Sequence, residues 1–533
     1  MSFRDRFLKR KNRFKKTFDF NESRGKRMQT AIMISKNKRD EQLMKKRNIN
    51  ISVNHIDSDS DDDEPIDLLL KNLNSYVNSI KSNDNSQKQF ALIKIRKIVS
   101  VEENPPIQQI IDTGIIPDLI KILSHEKNVK ILFEAAWILT NIASGNSNQT
   151  KTVTKAGAIP LFVRLLESND EDVQEQAIWG IANIAGDRIK YRDQFLHFGA
   201  LSQILNIMKH TTSQDILQNG TWAISNLCRG KPKPAFSKLR IALPFLQRLL
   251  QSVDLGILSD AAWAVSYLTN GADEDIEECV QSGIVPPLVK LLEMNQPKLI
   301  APVLRAIGNI VSGTDEHTTA VLKENPIPRL FELSYSSRDS IRKEVCWILS
   351  NISAGTEEQI QQFLLVDGIV ERLVEILKTD KYEIRKEVSW VLSNAITGGS
   401  PEQIKAIAQE DCIESLCNLL EINDNKIFIV VLDALKSILQ FGEEHFEENI
   451  YAKYLEEIGA VSKIETLQKH SNDEVYEKAS DLIHLYFWEP SDNDVDEEIF
   501  NDSSFDSNFP NVETTTNTNN NFSQNQSQHI FNI

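Results

Sequence analysis

The chain has 533 residues, of which 41% are hydrophobic and 25% are charged, a composition typical of a folded protein rather than a disordered one. No uninterrupted apolar run reaches about 18 residues. The basic N-terminus also lacks an apolar signal core. The sequence therefore predicts neither a transmembrane helix nor a secretory signal, and we expect an intracellular protein.

The net charge of −17 is unevenly distributed along the chain. Residues 1–50 contain 17 Lys and Arg against 5 Asp and Glu, a net of +12, so the rest carries −29. A basic head on an acidic body is typical of a tail that binds a partner, and such a head could also bind its own body. Residues 51–84, with the run NHIDSDSDDDEPID, are predicted to form a disordered acidic linker. Residues 490–533 are predicted to form a disordered acidic and polar tail.

The cysteines and histidines show no metal-binding or catalytic pattern. The five cysteines are scattered and form no paired motif with histidines, so we expect buried, reduced thiols. The chain contains no phosphate-binding loop, nucleophile elbow or HExxH motif. We therefore predict no catalytic residues, no metal and no cofactor, and we reject an enzyme.

A tryptophan followed four residues later by an asparagine recurs along the chain. Five segments keep both residues, beginning with FEAAWILTNIASG at residues 133–145. In SDAAWAVSYLTNG the asparagine is replaced by Tyr267, and in APVLRAIGNIVSG the tryptophan is replaced by Arg305. The steps between successive units are 42, 43, 41, 42, 42 and 43 residues. A weaker unit follows, with Asp433 and Ser437 at the two positions.

A second phrase recurs between these segments, as in DTGIIPDLIKILS and KAGAIPLFVRLLES. Its glycine predicts the end of one helix and its proline the start of the next. A period of about 42 residues with three helices per unit is typical of armadillo and HEAT repeats. We predict an all-α, right-handed armadillo solenoid of about ten repeats over residues 85–489, with atypical repeats at both ends.

The third helix of each unit is predicted to line the concave surface of the solenoid. A Trp and an Asn four residues apart share one face of a helix, so the units would form two parallel rows. Asparagines can bind the backbone of an extended peptide, and the spaces between indoles can hold Lys or Arg side chains. Acids one turn from the indoles, such as Asp260, Glu344 and Glu387, would attract those cations.

The Trp–Asn pattern has two other interpretations, one structural and one with a different ligand. The Trp–Asn pairs could serve only to pack neighbouring repeats, but six tryptophans at one period, five with Asn, favour binding. A scaffold of the catenin type would have a basic groove for acidic peptides, whereas the positions near these indoles are Asp, Glu, Asn and Gln.

The sequence resembles the importin-α (karyopherin-α) family of nuclear import adaptors over about 490 residues. The resemblance rests on the W-x3-N series, the Tyr of the fifth repeat and the Arg of the sixth. The phrases NPPI, AGAIP, SNLCRGK, RAIGNIVSG and SWVLSNA add to it. It implies an adaptor that binds basic nuclear localisation signals, links them to importin-β, and shuttles between cytoplasm and nucleus through pores of the nuclear envelope.

The resemblance implies two grooves for basic signals, monopartite or bipartite. The residues it assigns to the major groove are Trp137, Asn141, Gly145, Thr150, Gln176, Trp179, Asn183, Asp187, Asn219, Trp222, Asn226, Asp260, Trp263 and Tyr267. Those it assigns to the minor groove are Arg305, Asn309, Val311, Asp315, Thr318, Glu344, Trp347, Asn351, Glu387, Trp390 and Asn394. Asp187, with the Gly145 carbonyl and the Thr150 hydroxyl, would form the socket for a key lysine.

The resemblance also assigns the basic head. Residues 1–50 would bind importin-β, and the cluster Lys45-Lys46-Arg47 would compete with cargo for the major groove when importin-β is absent. The basic residues singled out for these roles are Arg27, Lys36, Lys38, Arg39, Lys45, Lys46 and Arg47. The C-terminal repeats would bind the export receptor with Ran-GTP. No direct binding to nucleic acid or membrane is expected.

Overall fold

The structure, a computed structural model, describes residues 65–101 and 104–487. Within these two ranges the chain forms α-helices and short 3-10 helices and no β-strand. Each repeat ends with one long helix. The ten long helices of this part of the chain are α3 (Asn85–Val99), α6 (Val129–Ala143), α9 (Glu171–Asp187), α12 (Gln214–Cys228), α15 (Leu255–Leu268), α18 (Pro297–Val311), α21 (Asp339–Ser353), α24 (Tyr382–Gly398), α27 (Asn425–His445) and α30 (Asp473–Tyr486).

Two shorter helices precede each long one. They are α1 (Ile66–Lys71), α2 (Leu73–Ser79), α4 (Ile107–Asp112), α5 (Ile116–His125), α7 (Ser147–Lys155), α8 (Ala158–Leu165), α10 (Ile189–His197), α11 (Ala200–His210), α13 (Phe236–Leu239), α14 (Leu243–Leu249), α16 (Asp273–Gln281), α17 (Val285–Lys290), α19 (Asp315–Leu322), α20 (Ile327–Leu333), α22 (Glu357–Leu364), α23 (Ile369–Thr379), α25 (Pro401–Ile407), α26 (Glu410–Cys417), α28 (Ile450–Glu457) and α29 (Ala460–Leu467). Short 3-10 helices occupy Arg240–Ala242, Leu291–Glu293 and Asn418–Glu421.

The recurring glycine separates the first helix of a repeat from the second. It adopts a positive φ of 70° to 95° at Gly114, Gly157, Gly199, Gly283, Gly368 and Gly459. Glycine reaches this left-handed region without the steric penalty that a Cβ imposes, so the chain can reverse within one residue. The turn predicted from the phrase is therefore confirmed.

The long helices form the continuous core of the protein. Each packs against the long helix of the next repeat, from α3 through α30. Their side chains are buried over two or three consecutive turns, as at Glu134–Ala143 of α6. The predicted all-α armadillo array is confirmed by this stacking.

The predicted boundary between linker and body is wrong. Residues 66–79, placed in the disordered linker 51–84, form the helices α1 and α2. Leu69, Leu73, Tyr76 and Ile80 are buried and recur at the spacing of an amphipathic helix. The acidic run lies just before this pattern. The composition of residues 51–84 therefore indicated a disordered linker where the first repeat begins.

Arginines of the second helices form a further set of contacts between neighbouring repeats. Arg329 Nε donates to the Leu292 carbonyl at 2.8 Å, and Arg372 Nη2 donates to the Ser334 carbonyl at 2.7 Å. Arg164 donates in the same way to the carbonyl of Leu123. Each acceptor lies at or just beyond the C-terminal end of the preceding repeat's second helix. There a cation satisfies an open carbonyl and the negative end of the helix dipole.

Two glycines in long helices provide a test of packing. A Cβ on Gly308 would lie 2.1 Å from Cζ3 of Trp347, a rigid ring, whereas a Cβ on Gly220 would lie 2.5 Å from Sδ of Met208, a flexible side chain. Gly308→Ala is expected to lower the free energy of unfolding by about 1–3 kcal/mol through overpacking. Gly220→Ala should be close to neutral because Met208 can rotate and alanine favours the helix by about 1 kcal/mol. Urea unfolding followed by circular dichroism measures both, and equal losses would contradict this account.

Candidate functional site

The six tryptophans of the repeated pattern lie between adjacent long helices. Their residues are only 2% to 8% exposed, so the indoles contribute to packing as well as to a surface. Trp179 and Trp222 meet edge to face, with ring centroids 6.2 Å apart at 83°. Trp263 and Tyr267, one turn apart in α15, stack at 5.9 Å and 24°. We call the surface formed by the Trp and Asn positions of α6, α9, α12, α15, α18, α21 and α24 the ladder face.

The asparagines of the pattern bridge neighbouring long helices. Asn183 Nδ2 donates to the Thr140 carbonyl at 3.2 Å, and Asn226 Nδ2 donates to the Ala182 carbonyl at 3.0 Å. Asn309 and Asn394 make the same contact with Ser266 and Ser350, at 2.8 and 3.1 Å. The Trp–Asn pairs therefore do pack the repeats, which was one interpretation of the sequence.

Two asparagines and one indole keep unused hydrogen-bonding atoms. Oδ1 of Asn183, Oδ1 of Asn226 and Nε1 of Trp222 are buried and have no hydrogen-bond partner in the protein. Buried polar atoms are nearly always paired, and an unpaired one is unfavourable by about 1–3 kcal/mol. The three atoms lie on α9 and α12, and together they offer two acceptors and one donor to a ligand.

Asp187 forms a socket with the start of α7. Ser147 Oγ donates to Oδ1 of Asp187 at 2.8 Å. Oδ2 of Asp187 has no hydrogen-bond donor, and Arg188 Nε lies 3.4 Å from it. The Asp187 side chain is 8% exposed, so this carboxylate oxygen is held at the end of α9 with little water around it. A cation that reaches it would gain a charge-assisted contact in a partly desolvated site.

Thr150 lies in α7, and Gly145 lies in the loop between α6 and α7. The Thr150 hydroxyl donates to the Ala143 carbonyl at 2.8 Å and is fully buried, so it joins the end of α6 to α7. A Cβ on Gly145 would lie 2.0 Å from Oε1 of Gln149, which caps α7. The glycine at position 145 therefore leaves room for the Gln149 side chain that caps α7.

The same construction recurs four repeats later, in the predicted minor groove. Thr318 Oγ1 donates to the Val311 carbonyl at 3.2 Å, as Thr150 does to Ala143. Asp315 stands where Ser147 stands in the first socket, and Gly355 occupies the position of Asp187. The carboxylate of this second socket is therefore at the position equivalent to Ser147, and not at the position equivalent to Asp187.

The remaining polar residues of the prediction lie along the ladder face. Gln176, Asn219, Asp260 and Glu387 are between 2% and 6% exposed. Each precedes a tryptophan by three residues, about one helical turn. Asn219 Nδ2 donates to Glu175 Oε1 at 3.0 Å. The remaining asparagines make contacts of other kinds, because Asn141 Nδ2 donates to Ser100 Oγ at 2.9 Å and Asn351 Nδ2 donates to the carbonyl of Trp347.

Glu344 does not present its carboxylate to a slot, contrary to the expectation. Arg305 donates to both its oxygens, Nη2 to Oε1 at 2.6 Å and Nε to Oε2 at 2.9 Å. The side chains are 13% and 11% exposed, so this fork-to-fork pair is partly buried. The pair forms because Arg305 replaces a tryptophan directly across from Glu344.

A second pair of this kind, which the sequence reasoning missed, lies at the start of the ladder face. Arg96 Nε donates to Glu134 Oε2 at 2.5 Å, and the guanidinium carbon lies 4.9 Å from the ring centroid of Trp137. Burial raises the pKa of Glu134, and the charge of Arg96 opposes that shift. Arg96 stands 41 residues before Trp137 and Ser100 stands 41 before Asn141, so the repeat period itself was the signal.

A further ion pair on α21 predicts a pH dependence of stability. Arg342 donates to both oxygens of Asp380 at 2.7 and 2.8 Å, and this hydrogen bonding lowers the pKa of Asp380. Asp380→Asn should lower the free energy of unfolding by about 2 kcal/mol at neutral pH. Because the folded pKa is depressed, the difference persists above the unfolded value of about 3.9 and disappears as pH falls through the folded pKa.

Thermal unfolding of the two chains between pH 3 and pH 7 measures this dependence. The matched control is Glu383→Gln, which breaks the exposed pair with Lys343 and should change stability by less than about 1 kcal/mol. A loss in Asp380→Asn that stays constant down to pH 3 would contradict the assignment.

The structure shows the cysteines to be buried thiols. All five are free and buried. Burial raises the pKa of Cys228, Cys279, Cys412 and Cys417 to about 12, and it also raises the pKa of Cys346. Among residues 65–101 and 104–487, no group of His, Cys, Asp and Glu is placed to hold a metal ion. In the same two ranges, no helix combines the length and apolar character needed to cross a membrane.

Several predicted features lie outside the described residues. They are the basic head with Arg27, Lys36, Lys38, Arg39, Lys45, Lys46 and Arg47, and the tail 490–533.

Comparison with protein families places a recognised domain at each end of the chain. Residues 10–93 match the importin beta binding domain, a longer stretch than the predicted 1–50 that includes α1 and α2. Residues 103–144, 146–186 and 272–312 match the armadillo/beta-catenin-like repeat. Residues 449–501 match an atypical armadillo repeat, in line with the expectation that the last repeat differs.

Comparison with curated proteins gives full-length relatives. Importin subunit alpha-2 of Arabidopsis thaliana is 44% identical over 493 residues, covering 91% of this chain and 92% of the relative. The chain belongs to the importin-α family. Importin subunit alpha-1a of Oryza sativa subsp. japonica is 40% identical over 91% of this chain and 93% of its own length. An engineered protein of known crystal structure shares the fold, with a TM-score of 0.69, 27% identity and coverage of 78% of this chain and 98% of its own.

Membership of the importin-α family fixes the class of function. Family members are transport adaptors rather than enzymes, which confirms the rejection of an enzyme. The importin beta binding domain identifies importin-β as a partner, and the family binds cargo with nuclear localisation signals and shuttles between nucleus and cytoplasm.

Proposed function

We propose that this importin-α family member binds the basic signals of cargo proteins along the ladder face and carries them to importin-β. The observation that carries the proposal is the pair of buried, unpartnered acceptors on Asn183 and Asn226, next to the Asp187 socket. An extended peptide would donate its backbone N–H groups to these oxygens and place a lysine ammonium at Asp187. Its remaining cationic side chains would lie along the indoles.

Two binding regions follow from the break in the indole row. The major groove runs from Trp137 to Tyr267 and the minor groove from Arg305 to Asn394, each with one Thr-supported acidic socket. A bipartite signal would place one basic cluster in each groove, with its linker across the Arg305–Glu344 pair.

Release of cargo would use the basic head. We propose that Lys45, Lys46 and Arg47 bind the major groove when importin-β does not hold residues 1–50, and that they compete with cargo from within the same chain. We further propose that the C-terminal repeats bind the export receptor with Ran-GTP, and that the protein is found at the nuclear envelope during passage through the pore.

Fluorescence anisotropy of a labelled lysine-rich peptide tests the proposed function. The full chain should bind it weakly, and importin-β should strengthen the binding by holding the head. A peptide of the same length with glutamates in place of lysines serves as the control and should not bind. Preference for the acidic peptide would move the protein to the catenin type of scaffold and overturn the proposal.

A further inference from the structure

Two arginines occupy the tryptophan position of a long helix, and each donates to a glutamate of the next long helix. Arg96 of α3 and Arg305 of α18 each donate to a glutamate that precedes the next repeat's tryptophan by three residues, Glu134 and Glu344 respectively. The side chains of Arg96 and Glu134 are 19% and 8% exposed, close to the values of the second pair. The indole rows begin directly after these pairs, at Trp137 and at Trp347.

Arg96 also occupies one side of the first indole. Its guanidinium carbon lies 4.9 Å from the ring centroid of Trp137, a distance at which a cation is attracted to the ring face. The Phe133 ring meets Trp137 edge to face at 5.4 Å. The protein itself therefore supplies the cation that the proposed function assigns to the ligand at the other indoles.

The acids of the ladder face differ in which residue occupies the tryptophan position of the preceding repeat. Asp260 and Glu387 follow repeats that carry Trp222 and Trp347 at the tryptophan position. Glu134 and Glu344 follow repeats that carry arginine there. An acid that faces an arginine contributes little negative potential to the groove, and the arginine repels a second cation that approaches the same indole.

We propose that Arg96 is a specificity-determining residue that ends the series of cation sites at Trp137. The inference deepens the proposed function and rests on it. Arg96 and Glu134 form an internal substitute for a ligand cation and its acid, so a bound peptide gains from Lys or Arg only on the Asp187 side of Trp137. A basic cluster that extends past Trp137 toward α3 gains nothing from its extra cation.

Three peptides and the full-length chain test this limit. The core peptide has five consecutive Lys and Arg residues between Gly-Ser flanks, and two longer peptides add two lysines at the amino or at the carboxyl end. The ratio of each longer peptide's Kd to the core peptide's Kd is measured, because competition by the head affects all three alike. In the wild-type chain, the extension that reaches α3 should change Kd less than about twofold.

Arg96→Gln is expected to change this ratio. Removing the arginine exposes Glu134 and one face of Trp137, so the same extended peptide should bind about tenfold more tightly than the core. Arg96→Gln with Glu134→Gln should keep only the smaller part of that gain, because the acid that attracts the lysine is gone while the face of Trp137 is open and the repulsion by Arg96 is removed. Lys97→Gln, which removes a neighbouring charge of α3, should keep the wild-type ratio.

The outcomes separate the inference from the proposed function. Equal ratios in the wild-type and Arg96→Gln chains, with the core peptide bound by both, would overturn the inference alone. Absence of core-peptide binding by the wild-type chain would overturn both. If the unpaired Glu134 unfolds Arg96→Gln, the double variant carries the test, since it leaves no unpaired charge. Its ratio must then fall below that of the wild type, because the repulsion by Arg96 is gone, and an unchanged ratio would overturn the inference.

Discussion

Asp187→Lys is expected to weaken binding of a lysine-rich peptide by about 100-fold. The substitution replaces the partly buried carboxylate of the first socket with a cation, so a ligand lysine would meet a like charge where it had met an acceptor. The substitution also removes the hydrogen bond from Ser147 and places a cation beside Arg188, so thermal unfolding of the variant is measured to show that it is folded at the temperature of the titration. Anisotropy with the labelled peptide, in the presence of importin-β to hold the head, measures the effect.

Glu167→Lys is the matched control for this substitution. Glu167 follows the second helix α8 of the same repeat, is exposed, and undergoes the same change of two charges. It should alter binding less than about twofold, since screening removes most of a distant surface charge. Equal weakening by both variants would mean that overall charge, and not the socket, determines the affinity.

Replacing Lys45, Lys46 and Arg47 together by alanine should strengthen peptide binding by the full chain by about 30-fold. In the proposed release step the head and the groove belong to one chain, so the local concentration of the head would be high and even a modest intrinsic affinity would block most of the sites. Removing the cluster removes that competition without changing the ladder face. The same anisotropy titration, now without importin-β, gives the gain.

The control variant removes the same number of positive charges from a different part of the head. Lys9, Arg10 and Lys11 lie in the same basic head, and their replacement by alanine also removes three positive charges. This variant should stay close to the wild type if the Lys45–Arg47 cluster is the competitor. An equal gain in both variants would assign the effect to general attraction between head and body.

The repeated pattern determined much of the fold, because a period of about 42 residues places each Trp, Asn and turn glycine at an equivalent point. It did not reveal where the first repeat begins, since α1 and α2 have no Trp and follow an acidic run. Nor could the spacing show that the Glu344 carboxylate is paired with a cation of the protein itself. That depends on which residue faces it from the preceding helix, and Arg305 was predicted as a minor-groove residue that replaces a tryptophan, without a partner. Arg96 was missed for the same reason, although the period predicts its position.

The unpaired atoms of the site lay beyond sequence reasoning altogether. A sequence indicates that Asn183 and Asn226 lie on one face, but not that their Nδ2 groups are used by the neighbouring helix while their Oδ1 atoms are not. That division depends on the distance between packed helices, which only the structure gives.

Neighbouring repeats are joined along two separate lines, by asparagine amides of the long helices and by arginines of the second helices. Two such lines resist sliding and twisting of one repeat against the next, and we expect bending between repeats to be the softest deformation. Small bends accumulate over several repeats but hardly alter the distance between adjacent indoles. The solenoid would therefore keep the distance between adjacent indoles within each groove while the distance between the two grooves changes. Signals with linkers of different lengths could then reach both grooves.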